Sequence, residues 1–402
     1  MSNSKTVKFK KDSIIFIDGQ EPKYMFYIII KGKVEAYSYF ADNYTFQYKE
    51  GDIIGFYNAV INEPFIFTVK ALEDTELLEI NIQELEDTEL LEINIQEIEN
   101  INNQSIINKI YNYLILNLER WLDRYYYFLN KANKPYIKTK PKISDIVEMG
   151  KIYYNNGFYD AAYKLFNKYK ESNENNETVN ELLSKIKPIE EPELIENNIY
   201  KYKKGYCLYN ELKSSDYLYI IKYGKVGVYN IFNSRQVTRR VAIDGDIING
   251  YEPNSKSQSL STTAIILQDS IIQSIKREEI LNLMLTDKNI RLYLIKIMSI
   301  RIYGTILRIK AFNANNIASK FIIIIDALIK TELLFKNIKK IKFPYNIYDI
   351  CSIIGVDYNE IVENELTKIK SLSVSENGNL IINNIDEFYE EYNLYSHRIL
   401  NK

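Results

Sequence analysis

The chain has 402 residues, of which 51 are Lys or Arg and 53 are Asp or Glu, with two Cys and one His. This length exceeds what one hydrophobic core organises, so we expect about two to four domains. The balanced charge excludes a basic field over the whole protein, and any affinity for nucleic acid must be local. Two Cys and one His exclude a His/Cys zinc site and a four-cysteine iron–sulfur cluster, so no metal is predicted.

The sequence shows neither a signal peptide nor a membrane span. The N-terminus, MSNSKTVKFKKDS, lacks the apolar core of a signal peptide. The longest apolar runs, at 24–30 and 321–325, are far shorter than the roughly 20 residues that cross a bilayer. With so few cysteines, these features predict a cytoplasmic protein without membrane contact.

One β-rich segment occurs twice in the chain, as YMFYIIIKGKVEAY at 24–37 and as YLYIIKYGKVGVYN at 217–230. Its aromatic and β-branched residues favour strands, and the central glycine supplies the positive φ of a tight turn. Each copy therefore predicts a β-hairpin that turns at Gly32 or Gly224. A Gly-Asp-Ile-Ile turn follows each copy, at 51–54 and at 245–248.

Further short strands are predicted around both copies, in the first at 14–17, 44–48, 65–69 and 77–82. Short strands at regular spacing are typical of an antiparallel barrel or jelly roll. We assign the first barrel to 7–104 and the second to 196–285. Within the first, LEDTELLEINIQE at 72–84 is repeated without change at 85–97. We expect one copy of this duplication (72–97) to form the last barrel strand and the other to be a tolerated insertion.

Two long helices are predicted, one after each barrel, at 105–134 and 286–313. In the second, apolar side chains follow the 3,4 spacing of a coiled-coil seam. Two arrangements remain open: a homodimer through this helix, or an intramolecular pseudo-dimer in which the two long helices pair. The dimer-helix candidates are Ile295, Met298, Ile302 and Ile309.

A helical hairpin is predicted at 141–187, with two short helices split by Asn155-Asn156-Gly157. Residues Met149, Gly150, Tyr153, Ala162 and Phe166 have the spacing of one tetratricopeptide unit, which this stretch resembles. Because one repeat cannot bury its own faces, we expect a spacer packed on its neighbours rather than a peptide-binding groove. Residues 171–178 are polar, and we expect them to be irregular.

The C-terminal region, 316–395, has the pattern of a winged helix-turn-helix. A very apolar helix at 316–334 is followed by a helix at 347–354, a turn at Gly355 and a second helix at 357–370. Asn377-Gly378 then joins two short strands, which form the predicted wing.

The order of these parts resembles the Crp/Fnr family of transcription regulators. Each β-unit is similar to a cyclic-nucleotide-binding domain, through YIIIKGKVEAY, EGDIIG and EDTELLEI in the first and YIIKYGKVGVY, DGDIIN and QDSIIQSI in the second. The segment NIYDICSIIGVDYNEIVENELTKIK with NGNLII is similar to the family's winged helix. The resemblance implies an α+β fold with two β-barrel or jelly-roll domains, each followed by a long helix, and a C-terminal winged helix.

The family's nucleotide-binding residues do not occur at the matching positions. The resemblance implies Gly-Glu after the Gly-Asp turn, for the ribose, and Arg-Ser or Arg-Thr further on, for the phosphate. A buried phosphate without a guanidinium is poorly compensated. We therefore expect no cofactor and no ordinary binding of cAMP, although Arg239 or Lys256 is an alternative source of charge. The degenerate ligand-pocket positions are Gly55, Phe56, Phe65 and Ile66 in the first unit, and Asn249, Gly250, Leu260 and Ser261 in the second.

The predicted recognition helix also departs from the family. In DYNEIVENEL, at 357–366, four residues are acidic and none is basic, so the helix repels DNA phosphates. The DNA-contact candidates are Tyr358 and Asn359 for bases, and Lys339, Lys340, Lys342 and Lys368 for phosphates.

Two functions remain open. The first is a DNA-binding regulator with degenerate sensor domains, and the second is a scaffold that uses the same domains, including the helical spacer, for protein contacts. An enzyme is not predicted, because no nucleophile–base arrangement or phosphate-cradling glycine loop is found.

Overall fold

The structure is a computed structural model that describes residues 5–82, 103–130, 141–172, 175–213, 215–249, 258–334 and 336–400. It divides into two units. The first takes the described residues up to Tyr125, together with Asn282–Asn315 and Ile323–Ile338. The second takes Tyr126–Leu281, Asn316–Ile322 and the described residues from Lys339 onward. No helix in these described ranges is long and apolar enough to cross a bilayer.

The first β-domain, residues 5–82, consists of two four-stranded antiparallel sheets, ordered β1-β8-β3-β6 and β2-β7-β4-β5. The first copy of the duplicated segment supplies β8, whereas the second copy lies outside the described residues. The elements are β1 (Lys5–Phe9), β2 (Ile14–Phe16), β3 (Met25–Lys31), β4 (Lys33–Ser38), a 3-10 turn (Tyr39–Ala41), β5 (Tyr44–Lys49), β6 (Ile53–Ile54), α1 (Phe56–Ile61), β7 (Thr68–Ala71) and β8 (Thr75–Asn81).

The predicted hairpin at Gly32 is wrong. Strands β3 and β4 lie in different sheets: β3 pairs with β6 and β8, and β4 pairs with β5 and β7. Gly32, at φ +100°, lets the chain pass from one sheet to the other close to β8. A Cβ at this position would lie 2.6 Å from Thr75 Oγ1. The glycine is therefore required by a crossover between sheets rather than by a hairpin turn.

The second β-domain, residues 193–276, is a seven-stranded sheet ordered β13-β12-β15-β10-β9, with β11 paired to β15 and β14 to β12. Here too the chain does not turn at Gly224, because β12 runs straight through this residue and pairs with β15. The strands are β9 (Glu193–Glu196), β10 (Ile199–Tyr202), β11 (Cys207–Tyr209), β12 (Tyr217–Phe232), β13 (Arg235–Ile243), β14 (Ile247–Asn249) and β15 (Thr263–Lys276).

The spacer contains three helices: α3 (Ile143–Asn155), α4 (Tyr159–Lys170) and α5 (Glu177–Lys185). The close approach of α3 and α4 requires Gly150, since a Cβ there would lie 2.3 Å from Phe166 Cε1. Helix α5 begins inside the segment that was predicted to be irregular. It begins there because the Asn176 side chain caps it by accepting the Val179 N–H at 3.2 Å.

The spacer and the second β-domain share one hydrophobic core. Buried side chains of α3 and α4, among them Tyr153 and Phe166, pack with Tyr229 and Ile265 of the sheet. The fully buried Asp160 of α4 accepts the Cys207 N–H at 2.8 Å and the Ile189 N–H at 3.1 Å. It also forms an ion pair with Lys164 at 2.9 Å. The spacer is therefore an integral part of the second unit.

Four more helices follow the two β-domains: α2 (Asn103–Leu129) after the first, and α6 (Arg277–Thr286), α7 (Lys288–Phe312) and α8 (Ile317–Leu333) after the second. Helix α7 lies in the first unit, where it packs on α1. The Phe312 ring is 5.9 Å from the Tyr125 ring of α2, and Asn313 donates a hydrogen bond to the Phe40 carbonyl. The dimer-helix candidates Ile295, Met298, Ile302 and Ile309 are all buried within the chain.

The C-terminal region contains a three-stranded sheet, ordered β16-β18-β17, and three helices. Its second helix is shorter than the predicted 357–370. It begins at Glu360 because Asn359 caps it by accepting the Val362 N–H at 3.1 Å. The elements are β16 (Ile341–Asn346), α9 (Ile347–Ile354), α10 (Glu360–Leu366), β17 (Leu372–Val374), β18 (Asn379–Ile382) and α11 (Ile385–Leu400).

Candidate functional site

The ligand-pocket positions of the first β-domain form part of its aromatic core. Phe56 and Phe65 are 1% and 2% exposed, and Ile66 is also buried. The Phe65 ring stacks on Phe16, with the ring centroids 3.8 Å apart. It also lies against the backbone of the preceding turn, since a Cβ on Gly55 would come within 2.9 Å of Phe65 Cε1. These side chains offer a phosphate no charge and no polar hydrogen.

In the second β-domain, the corresponding positions lie at the end of β14 and before β15. Asn249 ends β14, and Gly250 lies outside the described residues, as does Lys256. Leu260 and Ser261 are buried. The Ser261 hydroxyl donates to Gln258 Oε1 at 3.0 Å.

Arg239 on β13 is the charged group next to these positions. Its Nη1 donates to the Tyr126 hydroxyl at 2.8 Å, to Asn230 Oδ1 at 3.1 Å and to the Ser259 carbonyl at 3.3 Å. Asn230 in turn donates to the Ser261 carbonyl. These hydrogen bonds hold the guanidinium beside Ser259 and Ser261, next to the predicted ligand-pocket positions. The sequence identified Arg239 only as an alternative, and no motif pointed to Tyr126 or Asn230.

The described residues contain little that is suited to nucleophilic or metal chemistry. Burial raises the pKa of the Cys207 and Cys351 thiols to about 12, so both stay protonated and unreactive at neutral pH. Nowhere in the described ranges are three His, Cys, Asp or Glu side chains grouped to hold a metal ion.

Helix α9 is joined to the second β-domain by side-chain hydrogen bonds. The Thr238 hydroxyl donates to Asp349 Oδ1 at 3.1 Å, and the Thr238 N–H donates to Ser352 Oγ at 2.8 Å. Ser352 in turn donates to the Gln236 carbonyl at 3.0 Å. Burial raises the pKa of Asp349, against the opposing effect of the hydrogen bonds from the Asn346 N–H and Thr238. The β12–β13 hairpin and the C-terminal helices are thus directly coupled.

A cavity of about 760 Å³ lies beside this contact. The end of α3, the β12–β13 hairpin and the turn after α9 form its walls. Tyr358, which was predicted to contact bases, lines the cavity and packs on Tyr348 with the ring centroids 4.8 Å apart. Its other lining side chains include Asn155, Asn233, Gln236 and Cys351.

The charged side chains of the C-terminal region lie on separate elements. Lys339, Lys340 and Lys342 are exposed just before and within β16, while Lys368 is exposed and pairs with Glu365. Asn359 is exposed, and its side-chain oxygen caps α10. Helix α10 itself presents acidic side chains to solvent, together with Ile361, which is 66% exposed.

Comparison with protein families identifies the two β-domains. The model of the cyclic nucleotide-binding domain matches residues 6–90 and 199–287. The chain carries two cyclic-nucleotide-binding-type domains in tandem. In carrying domains of this type it resembles the Crp/Fnr regulators, as the sequence indicated.

Among solved structures, this tandem-domain chain is similar to FixK2 from Bradyrhizobium japonicum, with 17% identity over 48% of this chain and 95% of that one, at a TM-score of 0.36. It is also similar to a mutant of CooA from Carboxydothermus hydrogenoformans, with 15% identity over 48% and 87% of the two chains, at a TM-score of 0.37. The search of curated protein sequences gives no match.

Proposed function

We propose that this tandem-domain chain is a regulatory protein of Crp/Fnr type whose C-terminal winged helix binds DNA. In this assignment α9 and α10 are the helix-turn-helix, Gly355 is in its turn, and β17 with β18 is the wing. The observation that carries the proposal is the basic strand edge formed by Lys339, Lys340 and Lys342. No described carboxylate forms an ion pair with these lysines, and β16 pairs directly with the wing strand β18.

The lysines and the wing would provide most of the affinity by neutralising DNA phosphates. Helix α10 would contribute little, because Glu360 and Glu363 are exposed and repel phosphates. Tyr358 and Asn359, which immediately precede α10, are neutral groups that would contact base edges. Binding is therefore expected to depend strongly on salt and only weakly on sequence.

The two β-domains would serve different roles. In the first, Phe56 and Phe65 fill the ligand-pocket positions, so this domain is structural and takes no cyclic nucleotide. In the second, Arg239 lies beside the segment with the matching ligand-pocket positions. Hydrogen bonds join the β12–β13 hairpin to α9. The second domain is the one that would pass a change of state to the winged helix, through Thr238 and Ser352.

The DNA-binding species would be a single chain. In the homodimer alternative, the apolar stripe of α7 is available to a second copy. In the structure, however, the four residues of this stripe are buried within the chain. Helix α7 contacts both α1 and the end of α2 in the first unit. We therefore prefer the intramolecular pseudo-dimer, in which α2 and α7 pair.

A second candidate function is a scaffold that does not bind DNA. The acidic surface of α10, with Ile361 exposed in its middle, favours a basic protein partner over nucleic acid. The spacer, whose first two helices resemble a tetratricopeptide unit, would then offer a second contact surface.

Fluorescence anisotropy with random-sequence duplex DNA separates the two functions. We expect the affinity to fall steeply between about 50 and about 200 mM salt. Replacing Lys339, Lys340 and Lys342 by Gln is expected to weaken binding and to reduce the slope of log affinity against log salt by about 2 to 3. The matched control replaces the exposed Lys187, Lys201 and Lys222 by Gln. Undetectable or salt-insensitive binding by the unmodified chain would instead favour the scaffold.

A further inference from the structure

Strand β9 is an added edge strand of the second β-domain. Within the described ranges it pairs with β10 alone, whereas the corresponding sheet of the first β-domain ends at β1, the counterpart of β10. All four residues of Glu193–Glu196 are exposed. Leu194 and Ile195, on opposite faces of the strand, are 59% and 50% exposed. An open edge with apolar side chains on both faces is a template for pairing with another strand.

The first β-domain presents an open edge of opposite charge. Among the strands that the structure describes, β1 pairs only with β8, and it exposes Lys5, Thr6 and Lys8, while Val7 is half-buried. Lys8 forms an ion pair with Glu76 at 2.8 Å, but 73% of the lysine side chain remains exposed. The edge of β1 therefore carries two lysines around a Thr-Val pair, where β9 carries two glutamates around a Leu-Ile pair.

The two edges match residue by residue. Cross-strand neighbours stabilise an antiparallel pair when they carry opposite charges or are apolar and β-branched. Antiparallel pairing of 193–196 with 5–8 gives two oppositely charged pairs, Glu193 with Lys8 and Glu196 with Lys5. Between them it sets Leu194 opposite Val7 and Ile195 opposite Thr6.

We infer that β9 of one chain binds β1 of a second copy, each strand extending the sheet of the other. A two-fold contact of β9 with itself is disfavoured, because it sets Glu193 opposite Glu196 at both ends. The contact is therefore heterologous, and every pair of chains keeps one free edge of each kind. Chains associate head to tail, and they do so weakly because the contact is only four residues long.

Sedimentation equilibrium of the full chain, from about 10 to about 500 μM, tests this inference. We expect the weight-average mass to rise with concentration above the 47.4 kDa of one chain. Glu193→Lys with Glu196→Lys should abolish the rise, and so should Lys5→Glu with Lys8→Glu. An equimolar mixture of these two variants should restore it, because the lysines of each chain then face glutamates of the other.

The matched control is Glu278→Lys with Glu279→Lys, which makes the same charge change at exposed positions of α6 and should leave the rise intact. Circular dichroism and thermal unfolding establish that each variant is folded. If Lys8→Glu unfolds the first β-domain, the variant Leu194→Lys with Ile195→Lys takes the place of Lys5→Glu with Lys8→Glu. It should also abolish the rise of mass with concentration. A constant mass of one chain, or a mixture that fails to associate, would overturn the inference. Neither result depends on DNA binding.

Discussion

Gly224 lies inside a strand at φ +115°, and it is packed against the neighbouring strand. A Cβ at this position would lie 2.1 Å from Ser270 Oγ and 2.7 Å from Ser270 Cα. The Ser270 hydroxyl can rotate away from the added Cβ, but the Ser270 Cα is fixed in the backbone of β15. Gly224 therefore combines two requirements, a left-handed backbone and a close approach of β12 to β15, and no other residue type meets both.

Replacing Gly224 by Ala is expected to lower the free energy of unfolding by about 3 kcal/mol, through backbone strain and overpacking together. The matched control is Gly245→Ala. Gly245 has φ +84° with no atom within 4 Å of the added Cβ, so only the strain of about 1 kcal/mol applies. Urea unfolding followed by circular dichroism measures both. Equal losses of unfolding free energy in the two variants would show that close packing against Ser270 does not contribute.

Phe65 is one of the predicted ligand-pocket positions, where the family resemblance implies the Arg of a phosphate-binding pair. Because it is a core residue here, Phe65→Ala should cost about 3 to 5 kcal/mol of unfolding free energy. The control Tyr39→Ala changes a side chain that is 71% exposed and should have little effect. Loss of stability in the control alone would contradict the assignment of Phe65 to the core.

At the scale of elements, Asp349 is a titratable group in the contact of α9 with the β12–β13 hairpin, where Lys225 of β12 lies near it. Burial holds its pKa above that of an exposed carboxyl. The folded state therefore binds the proton more tightly than the unfolded state. Stability from this group is fully present at low pH, and it is lost as pH rises from the unfolded pKa, near ~4, through the raised folded pKa.

Asp349→Asn keeps an oxygen to accept from Thr238 and removes the ionisation. We expect the unfolding free energy of the unmodified chain, minus that of the variant, to fall as pH rises through this range and then to level off. Urea unfolding at a series of pH values from about 4 to about 8 measures this difference. A difference that grows with pH would mean that the carboxylate stabilises the contact.

Local pattern was sufficient to place most elements in the sequence, but it did not determine how they pair. Runs of aromatic and β-branched residues located β3, β4 and β12, yet hairpin turns were predicted at Gly32 and Gly224. The reason is that positive φ serves a tight turn and a crossover between sheets equally well, and only the partner strand distinguishes them.

The candidate site shows the same limit. The sequence was sufficient to show that the Glu and Arg implied by the family resemblance do not occur at the matching positions. The cluster of Arg239, Asn230 and Tyr126 could not be predicted in this way, because Tyr126 on α2 is more than 100 residues from the β12–β13 hairpin that carries the other two. The start of α10 was also predicted wrongly. It depends on one hydrogen bond from the Val362 N–H to the Asn359 side chain, and an Asn side chain can make similar local bonds to the backbone in other conformations.

At the scale of the whole molecule, the described residues of one chain supply two β-domains and two long helices, but the proposed assignment gives them a single winged helix. If α2 and α7 pair within the chain, the complex with DNA has no two-fold axis. It would then occupy one half-site instead of a palindrome. This arrangement also explains why the apolar stripe of α7 is buried without a second copy.

The mass of the protein–DNA complex tests this account most directly. Sedimentation velocity at low micromolar protein, where the edge-strand contact is not populated, gives the number of chains on a short duplex. We predict one chain of 47.4 kDa for each duplex, at a salt concentration low enough for binding. Two chains on each duplex would contradict the pseudo-dimer, and free DNA at every protein concentration would contradict the assignment of the winged helix as a DNA-binding domain.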